Sequence, residues 1–88
     1  GSAERVAFVQ ALPCCACGGG PSQNAHVTTG GMGRKDDASR VVPLCARCHA
    51  EQEGRTAAFE EAHGLAPGFL AAEAARTEVA WQQHLANG

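Results

Sequence analysis

Five cysteines, four of them in two closely spaced pairs, are the residues of this chain best suited to chemistry. Cys14 and Cys17 form one Cys-X-X-Cys pair, Cys45 and Cys48 form the other, and 27 residues lie between the pairs. Two such pairs supply four thiolates, which complete the tetrahedral shell of structural Zn²⁺ and favour zinc over two disulfides. Using Cys15 instead leaves a Cys15-X-Cys17 spacing, which is less usual. The sequence predicts a structural zinc site with Cys15 as a bystander.

A second group of reactive side chains lies between and just after these pairs. His26 follows an alanine, Gly-Gly-Met-Gly-Arg-Lys-Asp-Asp occupies residues 30–37, Val-Val-Pro-Leu occupies residues 41–44, and His49 directly follows the last cysteine. An imidazole titrates near neutral pH and therefore suits proton transfer as well as metal binding. A lone histidine is more often a simple hydrogen-bonding residue, so its interpretation depends on the whole pattern.

This order of motifs resembles the HNH endonuclease family in its zinc-stapled ββα-metal form. The resemblance covers about residues 14–64 and includes both cysteine pairs, Ala-His-Val, the Gly-Met-Gly-Arg-Lys segment and Pro-Leu-Cys-X-X-Cys-His. The chain is most similar to small phage-borne HNH proteins linked to recombination. The resemblance implies a small α+β domain with flanking helices that hydrolyses DNA phosphodiester bonds, and a phage or prophage origin.

The resemblance also implies roles for individual residues. His26 matches the family's general base on the first strand, and His49 matches its metal-binding histidine on the helix after the second cysteine pair. Asp37, with Asp36 as the fallback, matches an acidic or amide residue that orients the base or binds the metal. The expected catalytic residues are therefore His26, Asp37 and His49. The implied cofactor is a divalent ion such as Mg²⁺, Mn²⁺ or Ni²⁺, which stabilises charge on the leaving oxygen.

Two positions depart from the family pattern. Glu53 stands where related sequences have a second histidine one turn after His49, and Ala25 stands where some have an Asp or His ligand. A carboxylate binds Mg²⁺ or Mn²⁺ well, so Glu53 either retunes the metal site or marks the loss of catalysis. Two other readings therefore stay open. One is a catalytically silent zinc module that binds DNA or a recombination protein, and the other is a regulatory or inhibitor protein on the same scaffold.

The charge distribution bears on the partner. The net charge of −2 at pH 7 is unusual for a nucleic-acid-binding protein, but basic residues cluster between positions 34 and 55. A local basic face neutralises phosphates whatever the net charge. We expect DNA rather than RNA as the partner, with phosphate contacts from Arg34, Lys35 and Arg40, and with Arg47 on the same face.

Composition also bounds the cellular setting. No segment approaches the ~20 apolar residues of a transmembrane helix, and no secretory signal is visible. Paired cysteines without a secretory signal fit a reducing compartment. The expectation is a cytoplasmic protein with no membrane partner.

The elements that must position these residues follow from apolar periodicity and turn signals. We expect one domain over residues 1–88, with an N-terminal helix in 1–13, a zinc-stapled ββα core in 14–64 and a C-terminal helix in 65–88. Strands are predicted over 25–29 and 40–44, and helices after Cys45, over 56–63 and over 68–86. Because a helix places residues four apart on one face, His49 and Glu53 should lie together. The residues expected to point inward from the two terminal helices are Val6, Phe8, Val9, Leu12, Leu70, Ala74, Trp81 and Leu85.

The apolar core of such a domain is thin. The chain has 88 residues, with only three Phe, one Trp and one Met among its larger side chains. Metal binding in zinc mini-domains contributes on the order of 10 kcal/mol to folding. We therefore expect the fold to depend on its zinc.

Overall fold

A computed structural model describes residues 2–27 and 40–88 of the chain. These residues form a small α+β structure with two antiparallel strands and four helices. In chain order the elements are α1 (Ser2–Gln10), β1 (Ser22–His26), β2 (Val41–Cys45), α2 (Ala46–Gln52), α3 (Thr56–Ala62) and α4 (Phe69–Asn87). None of the helices in the described ranges is long and apolar enough to cross a membrane.

The two strands form a hairpin whose ends differ in chemistry. Ser22 pairs with Cys45 at the cysteine end, and His26 pairs with Val41 at the other end. The strand predicted over 25–29 begins earlier, at Ser22, so the predicted first residue is wrong. Its predicted last residues, 28 and 29, lie outside the described ranges. A contact outside the strand accompanies the early start: the buried Ser22 hydroxyl donates to the carbonyl of Leu12 at 2.6 Å and anchors the strand to the turn that follows α1.

The predicted helix after the second cysteine pair is confirmed as α2, and the predicted helix over 56–63 is confirmed as α3. The chain turns between them at Gly54, whose φ of +73° lies in the left-handed region that glycine adopts without strain. This turn brings α3 against α2, and α2 in turn packs on both strands of the hairpin.

The core lies between the hairpin and the helices. Its buried members include Leu44 of β2, Phe59 of α3 and Leu70 of α4, and two of the cysteines belong to the same cluster. At the other edge, Trp81 of α4 packs against Phe8 of α1 with the ring centroids 5.4 Å apart. The cysteine cluster is therefore part of the packing of this fold.

Two residues predicted to point inward are exposed. Val6 is 42% exposed, because α1 meets the rest of the fold through Val9 and Phe8. Leu85 is 52% exposed, because it lies one turn beyond Trp81, the last buried residue of α4. Both predictions are wrong: Val6 lies outside the packed face of α1, and Leu85 lies outside the packed length of α4.

A buried carboxylate joins α3 to α4. Glu60 accepts hydrogen bonds from the backbone N–H groups of Gly68 at 3.1 Å and of Leu70 at 2.9 Å. Gly68 is the N-cap of α4 and has no side chain with which to accept from the first turn. Glu60 therefore supplies that acceptor from the preceding helix and fixes where α4 begins.

Candidate metal centre and adjoining histidines

The four predicted zinc ligands come together at one end of the hairpin. The sulfurs of Cys14, Cys17, Cys45 and Cys48 all lie within 4.8 Å of one another, and all five cysteines are free of disulfides. The Cys17 and Cys45 sulfurs are 3.8 Å apart. Zn–S bonds of about 2.3 Å in a tetrahedron separate the sulfurs by about 3.8 Å, whereas a disulfide bond measures about 2.05 Å. The donor set and its spacing fit a structural zinc ion.

Local backbone bonds shape the first cysteine pair for this task. The N–H of Gly18 donates to the carbonyl of Cys14 at 2.8 Å, and the N–H of Cys14 donates to the carbonyl of Gly19 at 2.8 Å. Gly18 has a φ of +79°, so the tight turn needs the conformational freedom of glycine. The N–H of Cys15 donates to the carbonyl of Pro43 at 2.9 Å, which ties this turn to β2.

The cysteine thiols differ in how readily they ionise. Burial opposes ionisation of Cys14, yet hydrogen bonds from neighbouring backbone N–H groups, that of Cys45 foremost, outweigh it and lower its pKa to about 6. The backbone N–H of Cys48 lowers the pKa of Cys45, whereas burial raises the pKa of Cys48 itself. Metal binding requires thiolates and releases their protons. The backbone N–H groups around Cys14 and Cys45 therefore favour the thiolate form that a metal ion binds.

Cys15 lies outside the cluster, as predicted. Its side chain is half-buried, and burial, with the negative charge of Glu73 as the next cause, raises its pKa to about 12. Burial raises the pKa of Cys48 too, so what separates Cys15 from the ligands is geometry: its sulfur is not among the four that lie within 4.8 Å of one another. The ligand set without Cys15 is the one that the structure supports.

His49 is held in place by Gln23, a residue that no sequence motif marks. Its Nδ1 lies 2.8 Å from Oε1 of Gln23 on β1. Because an amide oxygen only accepts, this contact places the imidazole proton on Nδ1 and leaves the lone pair on Nε2. Metal-binding histidines are commonly oriented through their other nitrogen in this way. The two residues are 26 positions apart, and no local pattern in the sequence relates them.

His26 is the last residue of β1 and its side chain is exposed. Its backbone carbonyl accepts a hydrogen bond from Nε2 of the buried Gln52 at 3.0 Å. The next residue, Val27, donates its N–H to the carbonyl of Arg40 at 2.8 Å. The position of His26 is thus fixed through its backbone by α2 and by the residue before β2. No local sequence pattern predicts this role of Gln52, because its contact joins residues 26 positions apart.

Glu53 follows α2 as its C-cap and is exposed. Its N–H donates to the carbonyl of His49 at 3.0 Å, which is the last bond of the helical ladder. Among the described residues, only the four cysteines gather three or more His, Cys, Asp or Glu ligand atoms within 4.8 Å of one another. His26, His49 and Glu53 do not form such a group, so the assignment of Glu53 to a catalytic metal stays a prediction.

The remaining predicted site residues are placed only in part. Arg40 is half-buried and takes part in interactions within the fold. Arg47 of α2 is exposed near the cysteine cluster. The predicted residues that lie outside the described ranges are Arg34, Lys35, Asp36 and Asp37.

Comparison with known proteins gives one match. The model of a family described as DUF968, protein of unknown function, matches residues 2–77, which is most of the chain. No curated protein and no solved structure gives a significant match.

Proposed function

This chain belongs to the DUF968 family of unknown function, and we propose that it is a metal-dependent HNH-type endonuclease that hydrolyses DNA phosphodiester bonds. The observation that carries the proposal is the relation of two histidines to the hairpin and α2. His26 ends β1, His49 lies in α2, and side-chain hydrogen bonds between β1 and α2 are made at both positions. The cysteine cluster closes the same hairpin at its other end.

In the proposed reaction each histidine has one task. His26, exposed at the end of β1, accepts a proton from the attacking water. His49 offers its Nε2 lone pair to a divalent ion, since Gln23 holds the proton on Nδ1. That ion, when bound, supplies charge stabilisation for the leaving oxygen. Glu53 and Asp37 are the proposed further ligands.

The zinc ion proposed at the four cysteines has a structural task. It joins the turn after α1 to the junction between β2 and α2, so it sets where α2 starts relative to the hairpin. All four protein ligands are cysteines, which leaves no open coordination position for water or substrate. The zinc therefore supports the site without taking part in hydrolysis.

Basic residues supply the proposed contacts to DNA. Arg34, Lys35, Arg40 and Arg47 would neutralise backbone phosphates, a contact that positions DNA without reading its sequence. The likeness to phage proteins linked to recombination extends the proposal to a recombination protein as a further partner.

A second candidate is a zinc module that binds DNA or a recombination protein without cleaving it. The observation in its favour is that the described residues gather no group of three metal ligands apart from the cysteines. Both candidates share the zinc site and the basic residues, and they differ in whether phosphodiester bonds are broken.

Cleavage of supercoiled plasmid by the zinc-loaded protein separates the two candidates. Mg²⁺, Mn²⁺ or Ni²⁺ is added singly, and the blank omits the divalent ion. The blank is preferable to EDTA alone, because EDTA also removes structural zinc. We expect nicking by the wild type with at least one ion and loss of about 100-fold or more in His26→Ala. His63→Ala is the matched control, since the described side-chain contacts of that histidine are with Glu51 and the ring of Phe59, and with neither His26 nor His49.

The outcomes assign the function. Metal-dependent cleavage that is lost in His26→Ala and kept in His63→Ala supports the nuclease. DNA binding with no cleavage under any ion supports the silent module. Cleavage that His26→Ala leaves intact would refute the assignment of the base.

A further inference from the structure

Gln52 is a buried side chain with a polar amide end, and it lies in the core where α2, β1 and α3 meet. It is only 1% exposed, and its Nε2 donates to the backbone carbonyl of His26 and to the hydroxyl of Thr56, each at 3.0 Å. We propose that Gln52 is the positioning residue of the general base: it fixes the peptide unit after His26 and thereby sets the place of the imidazole. This inference rests on the proposed nuclease function.

The orientation of the amide follows from its partners. The carbonyl of His26 has no proton to give, so the side chain must present its NH₂ group there. That group has two protons, and the two acceptors at 3.0 Å, the His26 carbonyl and the Thr56 hydroxyl, account for both. An amide turned the other way would set two acceptor oxygens against each other at His26.

The peptide unit that follows His26 is held from both sides. Its carbonyl accepts from Gln52, and its N–H, which belongs to Val27, donates to the carbonyl of Arg40 at 2.8 Å. A rotation of this peptide plane would break both bonds. The last residue of β1 therefore has a fixed backbone although its side chain is exposed.

The same helix aligns both histidines with one strand. His49 and Gln52 are three residues apart on α2, where His49 bonds to Gln23 and Gln52 bonds to His26. The two bonds span β1 near its beginning and at its end. A displacement of about 1 Å in a reacting group lowers a rate by about 100-fold, so a device that sets the spacing of two imidazoles bears directly on catalysis.

The second polar atom of Gln52 argues against a role in packing alone. Its Oε1 is buried and has no hydrogen-bond partner among residues 2–27 and 40–88. A buried acceptor without a partner is destabilising. An apolar residue of similar length would fill the same space without a buried acceptor. It would lack the two N–H donors that bond to His26 and Thr56.

The test compares Gln52→Met with Thr56→Val in the zinc-loaded protein, using a short DNA duplex as substrate. Gln52→Met keeps the length of the side chain and removes both donors. Thr56→Val removes only the second partner and leaves the bond to His26. We expect Gln52→Met to lower kcat by about 10- to 100-fold with KM changed less than about threefold, and Thr56→Val to stay within about twofold of wild type. Rates are normalised to the folded fraction.

Amide exchange gives a readout that does not depend on cleavage. We expect exchange of the Val27 N–H to speed up by about tenfold or more in Gln52→Met, and to stay unchanged in Thr56→Val. If Gln52→Met fails to fold, Gln52→Leu serves instead, since it also removes both N–H donors and is apolar.

Each outcome decides the proposal. A kcat loss confined to the Gln52 variants, together with faster exchange at Val27, supports it. Unchanged kcat in a Gln52 variant, or an equal loss in Thr56→Val, overturns the positioning role while the nuclease function stands. A wild-type protein that cleaves with none of the ions refutes the nuclease function, and this inference with it.

Discussion

Replacing Glu60 with alanine should remove much of the stability of this small fold. Glu60 is 5% exposed, and its two carboxylate oxygens accept from the backbone N–H groups of Gly68 and Leu70. Glu60→Ala leaves both donors without that acceptor at the start of α4, and Leu70 is fully buried.

The size of the effect follows from these contacts. A hydrogen bond to a charged group contributes about 1.5–3 kcal/mol, so losing two costs about 3–6 kcal/mol. A carboxylate at a helix N-terminus adds about 0.3–1 kcal/mol through the helix dipole. We expect Glu60→Ala to lower the free energy of unfolding by about 4 kcal/mol, which is a large part of the roughly 4–13 kcal/mol expected for a chain of this length. Glu60→Gln, which keeps one acceptor, should cost about half as much.

Urea denaturation of the zinc-loaded protein measures this cost. The fluorescence of Trp81, the single tryptophan, reports unfolding because the ring is buried against Phe8. Glu61→Ala is the matched control, since Glu61 is the exposed neighbour on α3 and its removal changes the charge equally. Its cost should stay within about 0.5 kcal/mol. A Glu60→Ala protein within 1 kcal/mol of the Glu61→Ala protein, on the scale of a single hydrogen bond, would show that the cap is not a major source of stability.

Three further predictions concern the metal sites. Cys45→Ser should release zinc and unfold the chain while Cys15→Ser keeps one zinc per chain, as measured by elemental analysis and circular dichroism; a folded, metal-free Cys45→Ser protein would contradict the zinc assignment. Gln23→Leu frees the proton of His49 Nδ1 and should raise the Mn²⁺ concentration for half-maximal cleavage by about 10-fold or more, and an unchanged value would remove Gln23 from the site. Glu53→Ala should abolish cleavage and Glu53→His should keep it with a preference for Ni²⁺ or Zn²⁺, whereas indifference to both changes would exclude Glu53 as a ligand.

The cysteine cluster could be predicted from sequence because each Cys-X-X-Cys pair is a local pattern with a fixed chemistry. The start of α2 and the bounds of α3 could be predicted for a similar reason, since helix periodicity is a local signal. The start of β1 could not, because Ser22 joins the strand through a bond to Leu12. Turn-forming residues suggest a loop at that point, and a contact across the fold decides otherwise.

The polar contacts that organise the site were invisible in the sequence. Gln23 and Gln52 each meet a partner 26 positions away, and Glu60 caps a helix eight residues later. Isolated Gln and Glu residues carry no motif, and by composition they are expected at the surface. The sequence pattern thus singled out the two histidines as predicted site residues, and the structure was needed to find the residues that bond to them.

Within residues 2–27 and 40–88, His49 belongs to no group of three possible metal ligands, and this bears on how the proposed catalytic metal would bind. Mg²⁺ is usually held by one or two carboxylates together with substrate phosphate oxygens and water, rather than by a full protein shell. A site with one oriented imidazole and one or two nearby carboxylates would therefore bind such an ion weakly in the free protein and more tightly with DNA present. Glu53, placed at the end of α2 where the helix gives way to a turn, is exposed enough to reach an ion held mainly by the substrate. Under the proposed nuclease function, metal binding measured without DNA would be a poor guide to cleavage, because the phosphate that is cleaved would itself complete the metal site.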